Sequence, residues 1–171
     1  LQITQPGLVD GVRGILEETG LPAELLKLEL TETVAIAPDE AVRSVLQELR
    51  GLGIKLCIDD FGTGYAGLQY LHSFDVDALK IDRSFVSRMG GERVPKVVQT
   101  IIDLSRTFGL EVTAEGVEAP EQASLLRSLG CQVAQGFYYA RPLDPDVAER
   151  LLARNPDWLS ELEQGADPAG G

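Results

Sequence analysis

Histidine and cysteine, on which many catalytic and metal sites depend, are scarce in this chain. Its 171 residues include one His and two Cys, at positions 57 and 131. The two thiols lie far apart in apolar, strand-like runs with no His near them, which disfavours both a disulfide framework and a zinc site. We therefore expect Cys57 and Cys131 to be free and buried.

Basic residues and long apolar runs are also few. There are 15 Lys and Arg against 27 Asp and Glu, a formal net charge of −12, so we expect no direct binding of DNA or RNA. No apolar run approaches the ~20 residues that span a bilayer, and residues 1–4 lack the basic and apolar regions of a signal peptide. These features predict a cytoplasmic chain without a membrane segment, although a longer parent protein is free to carry one.

The sequence does contain a regular alternation of helical and strand-like patterns. Single strands that alternate with helices indicate parallel pairing and an α/β fold. A (β/α)₈ barrel with about five of its eight strands present fits this pattern. An open doubly wound sheet would usually carry a glycine-rich phosphate loop, which is not found here. The predicted helices are 8–16, 41–49, 94–108, 121–129 and 147–153, and the predicted strands are 26–31, 54–58, 78–81, 110–114 and 132–134.

Charged and amide side chains collect where the predicted strands end. Because the carboxyl ends of parallel strands meet at one rim, these side chains are expected to converge. Seven carboxylates at one rim would repel each other by several kcal/mol per close pair, on the order expected near a protein surface, unless a cation compensates them. The alternative is that single acidic residues cap the following helices. The residues concerned are Glu29, Glu32, Asp59, Asp60, Lys80, Asp82, Glu115, Glu118 and Gln135.

The composition of this rim points to hard metal ions. Carboxylate oxygens without His or Cys suit Mg²⁺ or Mn²⁺. The adjacent Asp59 and Asp60 at a strand end can serve two neighbouring ions, as in two-metal phosphate chemistry. Lys80 lies in an apolar strand, where a cation is costly unless it reaches the carboxylates.

Five segments, in this order and spacing, resemble the EAL domain of bacterial cyclic di-GMP phosphodiesterases. The resemblance implies a modified (β/α)₈ barrel and the metal-dependent hydrolysis of cyclic di-GMP to linear pGpG, with two Mg²⁺ or Mn²⁺ ions in the complete domain. The segments are Glu-Leu-Thr-Glu at 29–32, Asp-Asp-Phe-Gly-Thr-Gly-Tyr at 59–65, Leu-Lys-Ile-Asp-Arg-Ser-Phe at 79–85, Ala-Glu-Gly-Val-Glu at 114–118 and Gln-Gly-Phe at 135–137.

The resemblance also implies roles for individual residues. Glu29 becomes a ligand of the first metal, and Asp59 bridges both metals. Asp60 and Glu115 serve the second metal, and Glu115 is one candidate for the general base. Lys80 holds the attacking water.

Three further residues acquire supporting roles from the same resemblance. Gln135 supports the rim. Glu32 steadies the glycine-containing loop after Asp60, a loop that the family associates with dimer contacts and control of metal binding, and Glu118 is a similar candidate. We therefore expect a homodimer formed through this loop.

The sequence departs from the family pattern in two places. The family's Glu-Ala-Leu signature and an Asn metal ligand are absent, which predicts that residues 1–155 form an EAL-type domain lacking its N-terminal part. Residues 156–171 are expected to be a helix end and a disordered tail. Two serines of the family loop are Ala66 and Gly67 here, which we expect to tune activity rather than abolish it. We expect the 171-residue chain alone to be weakly active or inactive; the alternative is a non-catalytic EAL-type module that binds cyclic di-GMP or a protein partner.

Overall fold

A computed structural model describes residues 2–36, 39–63, 76–90 and 94–154. By their internal contacts the residues fall into two compact units. The first comprises residues 1–80 and 108–110, and the second comprises residues 81–107 and 111–171. Within each unit the strands are hydrogen-bonded neighbours in their chain order.

In its described part, the first unit contains three α-helices, of which the first is amphipathic and follows a 3-10 turn at Gln2–Thr4. The helix α1 (Leu8–Thr19) ends at Gly20, whose positive φ of 68° suits a residue without a Cβ. Strand β1 (Lys27–Thr31) runs directly into the short helix α2 (Glu32–Ile36). Helix α3 (Glu40–Gly51) is capped by the Asp39 side chain, which accepts a hydrogen bond from the Val42 amide.

Two more strands complete this unit. Strand β2 (Lys55–Phe61) pairs in parallel with β1, and Thr31 lies opposite Asp59. Strand β3 (Ala78–Ile81) is buried along its whole length. Asp77, just before β3, joins it to β2, because its amide and its carboxylate both bond to the backbone of Leu56. Apolar residues of α1 and α3, together with Ile54 just before β2, form a core around Val9, Leu49 and Ile54.

The second unit repeats the alternation of helix and strand. It begins at Ile81, the last residue of β3, and contains α4 (Arg83–Val86), α5 (Val94–Phe108), β4 (Glu111–Ala114), α6 (Pro120–Ser128), β5 (Val133–Ala134) and α7 (Pro145–Arg154). Phe108, the last residue of α5, belongs to the first unit. Strands β4 and β5 pair in parallel, with Ala114 opposite Ala134. Its buried apolar residues include Val98 and Ile102 of α5 and Leu126 of α6.

The predicted alternation and all five predicted strands are confirmed, with three corrections. Sequence reasoning missed α2 and α4. Strand β2 extends through Phe61, so Asp59 and Asp60 lie inside the strand and not after it. Cys131 is only half-buried, unlike the buried Cys57, and both thiols are free. The predicted tail at 156–171 and most of the loop after Asp60, from residue 64 to 75, lie outside the described residues.

Within the described ranges, none of the helices combines the length and the apolar character needed to cross a bilayer.

Candidate functional site

Lys80 links two acidic residues of neighbouring strands in the first unit. Its Nζ atom lies 2.8 Å from Oε1 of Glu29 and 3.3 Å from Oδ1 of Asp59. The Lys80 side chain is 9% exposed, whereas that of Glu29 is 49% exposed. The parallel register of β1 and β2 explains why one ammonium reaches both carboxylates. The cost of burying Lys80 is thus offset by ion pairs, as sequence reasoning expected.

Asp59 and Asp60 offer their carboxylates close together at the end of β2. A carboxylate oxygen of each lies within 4.8 Å of the other. Successive side chains of a regular strand point to opposite faces, but Asp60 has a positive φ of 55°, which breaks that alternation. Aspartate tolerates this left-handed conformation better than most residues, although it still stores strain.

The Asp59 carboxylate has the properties expected of a metal ligand. Its Oδ1 atom is buried and makes no hydrogen bond within the part of the chain that the structure describes, and the Lys80 ammonium 3.3 Å away compensates its charge. A divalent cation prefers oxygen donors of this kind. The residues present therefore fit a hard metal ion.

The start of the loop after Asp60 is attached to α2. Glu32, the buried first residue of that helix, accepts a hydrogen bond from the Gly62 amide at 3.1 Å. The Thr63 hydroxyl donates to the Asp60 carbonyl at 2.9 Å. The contact between Glu32 and the loop that the resemblance implies is therefore present, while its regulatory role stays a prediction.

Glu115 and Gln135 meet at the ends of β4 and β5 in the second unit. The Gln135 amide nitrogen donates to Oε1 of Glu115 at 2.8 Å. Both residues follow the last register pair of the two strands, so parallel pairing places them side by side. The Glu115 amide also donates to the Ile81 carbonyl at 3.1 Å. The Glu118 side chain is exposed, and its backbone amide bonds to the side chain of Gln122.

A tight backbone clamp holds the segments that follow Glu115 and Gln135. The Val117 amide donates to the Gln135 carbonyl at 3.1 Å, and the Tyr138 amide donates to the Val117 carbonyl at 2.9 Å. Between them, a Cβ on Gly136 would overlap the backbone nitrogen and oxygen of Val117. Only glycine permits this approach. Sequence reasoning missed the clamp, although the glycines of Glu-Gly-Val and Gln-Gly-Phe were its signal.

The two thiols contribute no ligand to this chemistry. Cys57 lies opposite Glu29 in the register of β1 and β2. Burial raises the pKa of Cys57 to about 11 from an ordinary value of 9.0, and burial likewise raises the pKa of Cys131. Since the thiolate is the form that binds metal or attacks as a nucleophile, Cys57 is inert at neutral pH.

The sequence model of the EAL domain matches residues 1–142. The chain belongs to the EAL domain family. The chain is 43% identical over 146 residues to the cyclic di-GMP phosphodiesterase NbdA of Pseudomonas aeruginosa, a match that covers 85% of this chain and 19% of NbdA. This EAL domain thus spans about a fifth of that relative.

Solved structures of the family share its fold. The phosphodiesterase PaMucR in complex with c-di-GMP superposes with a TM-score of 0.80 at 39% identity, covering 86% of this chain and 60% of that one. A manganese and cy-diGMP complex of Klebsiella pneumoniae BlrP1 gives a TM-score of 0.75 at 36% identity, covering 81% and 36% of the two chains. The predicted family and the predicted TIM-barrel-like α/β fold, with about five of its strands in this chain, are therefore confirmed.

Proposed function

We propose that this EAL domain hydrolyses cyclic di-GMP to linear pGpG with Mg²⁺ or Mn²⁺. The observation that carries the proposal is the buried Lys80 beside Glu29 and Asp59. Buried ionisable groups with specific charged partners cluster at functional sites, so a buried cation between two carboxylates supports a catalytic role for this site. The similarity to NbdA, a cyclic di-GMP phosphodiesterase, supports this substrate.

Four carboxylates would hold the metal ions in this proposal. Glu29 would hold the first ion, Asp59 would serve both ions, and Asp60 and Glu115 would hold the second. When bound, such ions lower the pKa of a coordinated water and stabilise charge on the phosphate oxygens. The buried Oδ1 of Asp59 and the all-oxygen donor set support this assignment.

Lys80 and Glu115 would handle the attacking water. An ammonium has three donors, so Lys80 can hold the water oxygen while it stays beside Glu29 and Asp59. Glu115 takes the water proton as general base, and the Gln135 amide fixes the orientation of its carboxylate. The water oxygen bonds to phosphorus as the bond from phosphorus to O3′ breaks, and the leaving oxygen takes a proton from solvent. The product is pGpG with a 5′-phosphate.

Further proposals concern the surroundings of the site. Glu32 and Glu118 would support the loop and the rim, and the loop after Asp60 would join two copies in a homodimer. Residues 1–155 would form the EAL-type domain, with the reaction in the cytoplasm, where guanine nucleotides are made. Four carboxylates leave several positions around two six-coordinate ions to water or other donors. We therefore infer slow turnover by these 171 residues alone.

The test is cyclic di-GMP turnover in Mn²⁺, measured by chromatography of pGpG. Asp59→Asn removes the bridging charge and is expected to abolish the product, while Asp10→Asn, on the exposed face of α1, leaves it unchanged. Equal turnover by wild type and Asp59→Asn would remove Asp59 from the mechanism. Binding of cyclic di-GMP without any product would make the chain a non-catalytic module instead.

A further inference from the structure

Asp77 makes two hydrogen bonds to a single residue of the neighbouring strand β2. Its backbone amide donates to the Leu56 carbonyl at 2.9 Å, and its carboxylate oxygen Oδ2 accepts from the Leu56 amide at 2.9 Å. Asp77 is half-buried directly before β3, and Leu56 is buried within β2. The carboxylate thus satisfies a backbone amide of β2, a task that a carbonyl of the neighbouring strand usually performs.

These two hydrogen bonds lie equally far along both strands from the contact between Lys80 and Asp59. Leu56 comes three residues before Asp59, and Asp77 comes three residues before Lys80. Because a strand rises about 3.3 Å per residue, this spacing is about 10 Å on each strand. The Nζ atom of Lys80 lies 3.3 Å from Oδ1 of Asp59. Fixing Asp77 against Leu56 therefore brings Lys80 level with Asp59.

The apolar residues of β3 do little to set this register. Ala78, Leu79 and Ile81 are all fully buried. A strand that is buried along its whole length lacks the alternation of polar and apolar side chains that normally specifies a pairing register. A slip by one residue would exchange one apolar side chain for another, but it would turn Lys80 to the opposite face of the strand. The bonds of Asp77 oppose such a slip.

We propose that Asp77 is a positioning residue, which fixes β3 against β2 and thereby holds the Lys80 ammonium beside Glu29 and Asp59. Its importance for turnover rests on the proposed function, in which Lys80 holds the attacking water. A slip of one residue moves a side chain by about 3.3 Å, which is more than a hydrogen bond to that water tolerates. Asp77 acts through Lys80 and takes no part in the chemistry itself.

The first test is a double-mutant cycle on Tm, measured with a chelator and with sucrose, which favours the folded state. Distant substitutions without a shared partner have additive effects, so a merely structural Asp77 predicts the same Tm shift for Lys80→Met in every background. If Asp77 positions Lys80, Lys80→Met should lower Tm less than half as much in Asp77→Ala as in wild type, or raise it. Asp39→Ala is the matched control, because Asp39 also accepts a backbone amide, that of Val42 at 2.8 Å, and it should keep the full shift. Equal shifts in all three backgrounds overturn the proposal.

The second test is cyclic di-GMP turnover in Mn²⁺, measured below the Tm of every variant. Asp77→Ala should lower kcat about tenfold or more, since a misplacement of about 1 Å can cost about 100-fold, while KM stays within about threefold. Asp77→Asn keeps an oxygen acceptor for the Leu56 amide and should stay within about threefold of the wild-type kcat, and Asp39→Ala should match wild type.

Two results in this second test overturn the positioning role. One is a kcat of Asp77→Ala equal to that of Asp39→Ala, and the other is an Asp77→Asn variant no faster than Asp77→Ala. If wild type forms no product, the proposed function fails instead, and the double-mutant cycle alone decides whether Asp77 positions Lys80.

Discussion

Replacing Lys80 by methionine is expected to destabilise the metal-free protein by about 2 kcal/mol, although it removes a charge from an apolar strand. At 2.8 Å from Glu29, the gross attraction is about 6 kcal/mol at an effective dielectric of 20 and about 1.5 kcal/mol in bulk water. Because Glu29 is half-exposed, its attraction to Lys80 is closer to the bulk-water value. Lys80→Met also removes the cost of burying the ammonium, which cancels part of the lost attraction. Asp59, however, keeps a buried charge without its cation, which destabilises the variant.

The assay is thermal unfolding in the presence of a chelator. For a chain of this size each kcal/mol shifts Tm by about 2 to 4 °C, so Lys80→Met should lower Tm by about 4 to 8 °C. Lys55→Met is the matched control, because Lys55 is an exposed residue of the neighbouring strand β2. It should change the free energy of unfolding by less than about 0.5 kcal/mol.

Adding Mn²⁺ makes the same comparison diagnostic of the metal site. A divalent cation can supply the positive charge that Lys80→Met removes beside Glu29 and Asp59. Mn²⁺ should therefore raise the Tm of Lys80→Met more than that of wild type. The reasoning is refuted if Lys80→Met unfolds at the same temperature as Lys55→Met, or if Mn²⁺ raises the Tm of Lys80→Met no more than that of wild type.

Two further predictions concern the backbone clamp and the buried thiol. Gly136→Ala should lower the free energy of unfolding by at least about 3 kcal/mol in urea titrations, because its Cβ would overlap the Val117 backbone. Gly14→Ala, with open space on α1, should instead stabilise by up to about 1 kcal/mol, and equal effects would contradict the clamp. The pKa of Cys57 is raised from 9.0 to about 11 in the folded protein. Its contribution to the free energy of unfolding is therefore complete below pH 9 and is lost as the pH rises toward 11. Cys57→Ala should flatten this part of the alkaline decline in stability, and an unchanged slope would contradict the raised pKa.

The elements with a clear apolar or periodic pattern could be predicted from the sequence, and the two short helices α2 and α4 could not. The boundaries of β3 (Ala78–Ile81) and α5 (Val94–Phe108) match the predicted ones in full. Helix α2 was missed because its five residues include Thr, Val and Ile, which favour strands and hide one turn of helix. Helix α4 is four residues long and depends on its Asp82 cap.

Part of the candidate site could likewise be predicted from the sequence, and part could not. Contacts that follow from parallel strand pairing were predictable, as with Lys80 on β3, which reaches Glu29 of β1 and Asp59 of β2. The left-handed Asp60 was not predictable, because nothing in the residues around it requires a positive φ inside a strand. The clamp at Gly136 depends on two segments far apart in sequence, and a glycine alone does not reveal its partner.

The most direct test of the central claim is the fate of oxygen in the reaction. Cyclic di-GMP is incubated with the chain and Mn²⁺ in water enriched in heavy oxygen, and the product is examined by mass spectrometry. The account predicts linear pGpG with one heavy oxygen on its 5′-phosphate, formed by wild type and not by Asp59→Asn. Unlabelled product, or labelled product formed equally by Asp59→Asn, would contradict it.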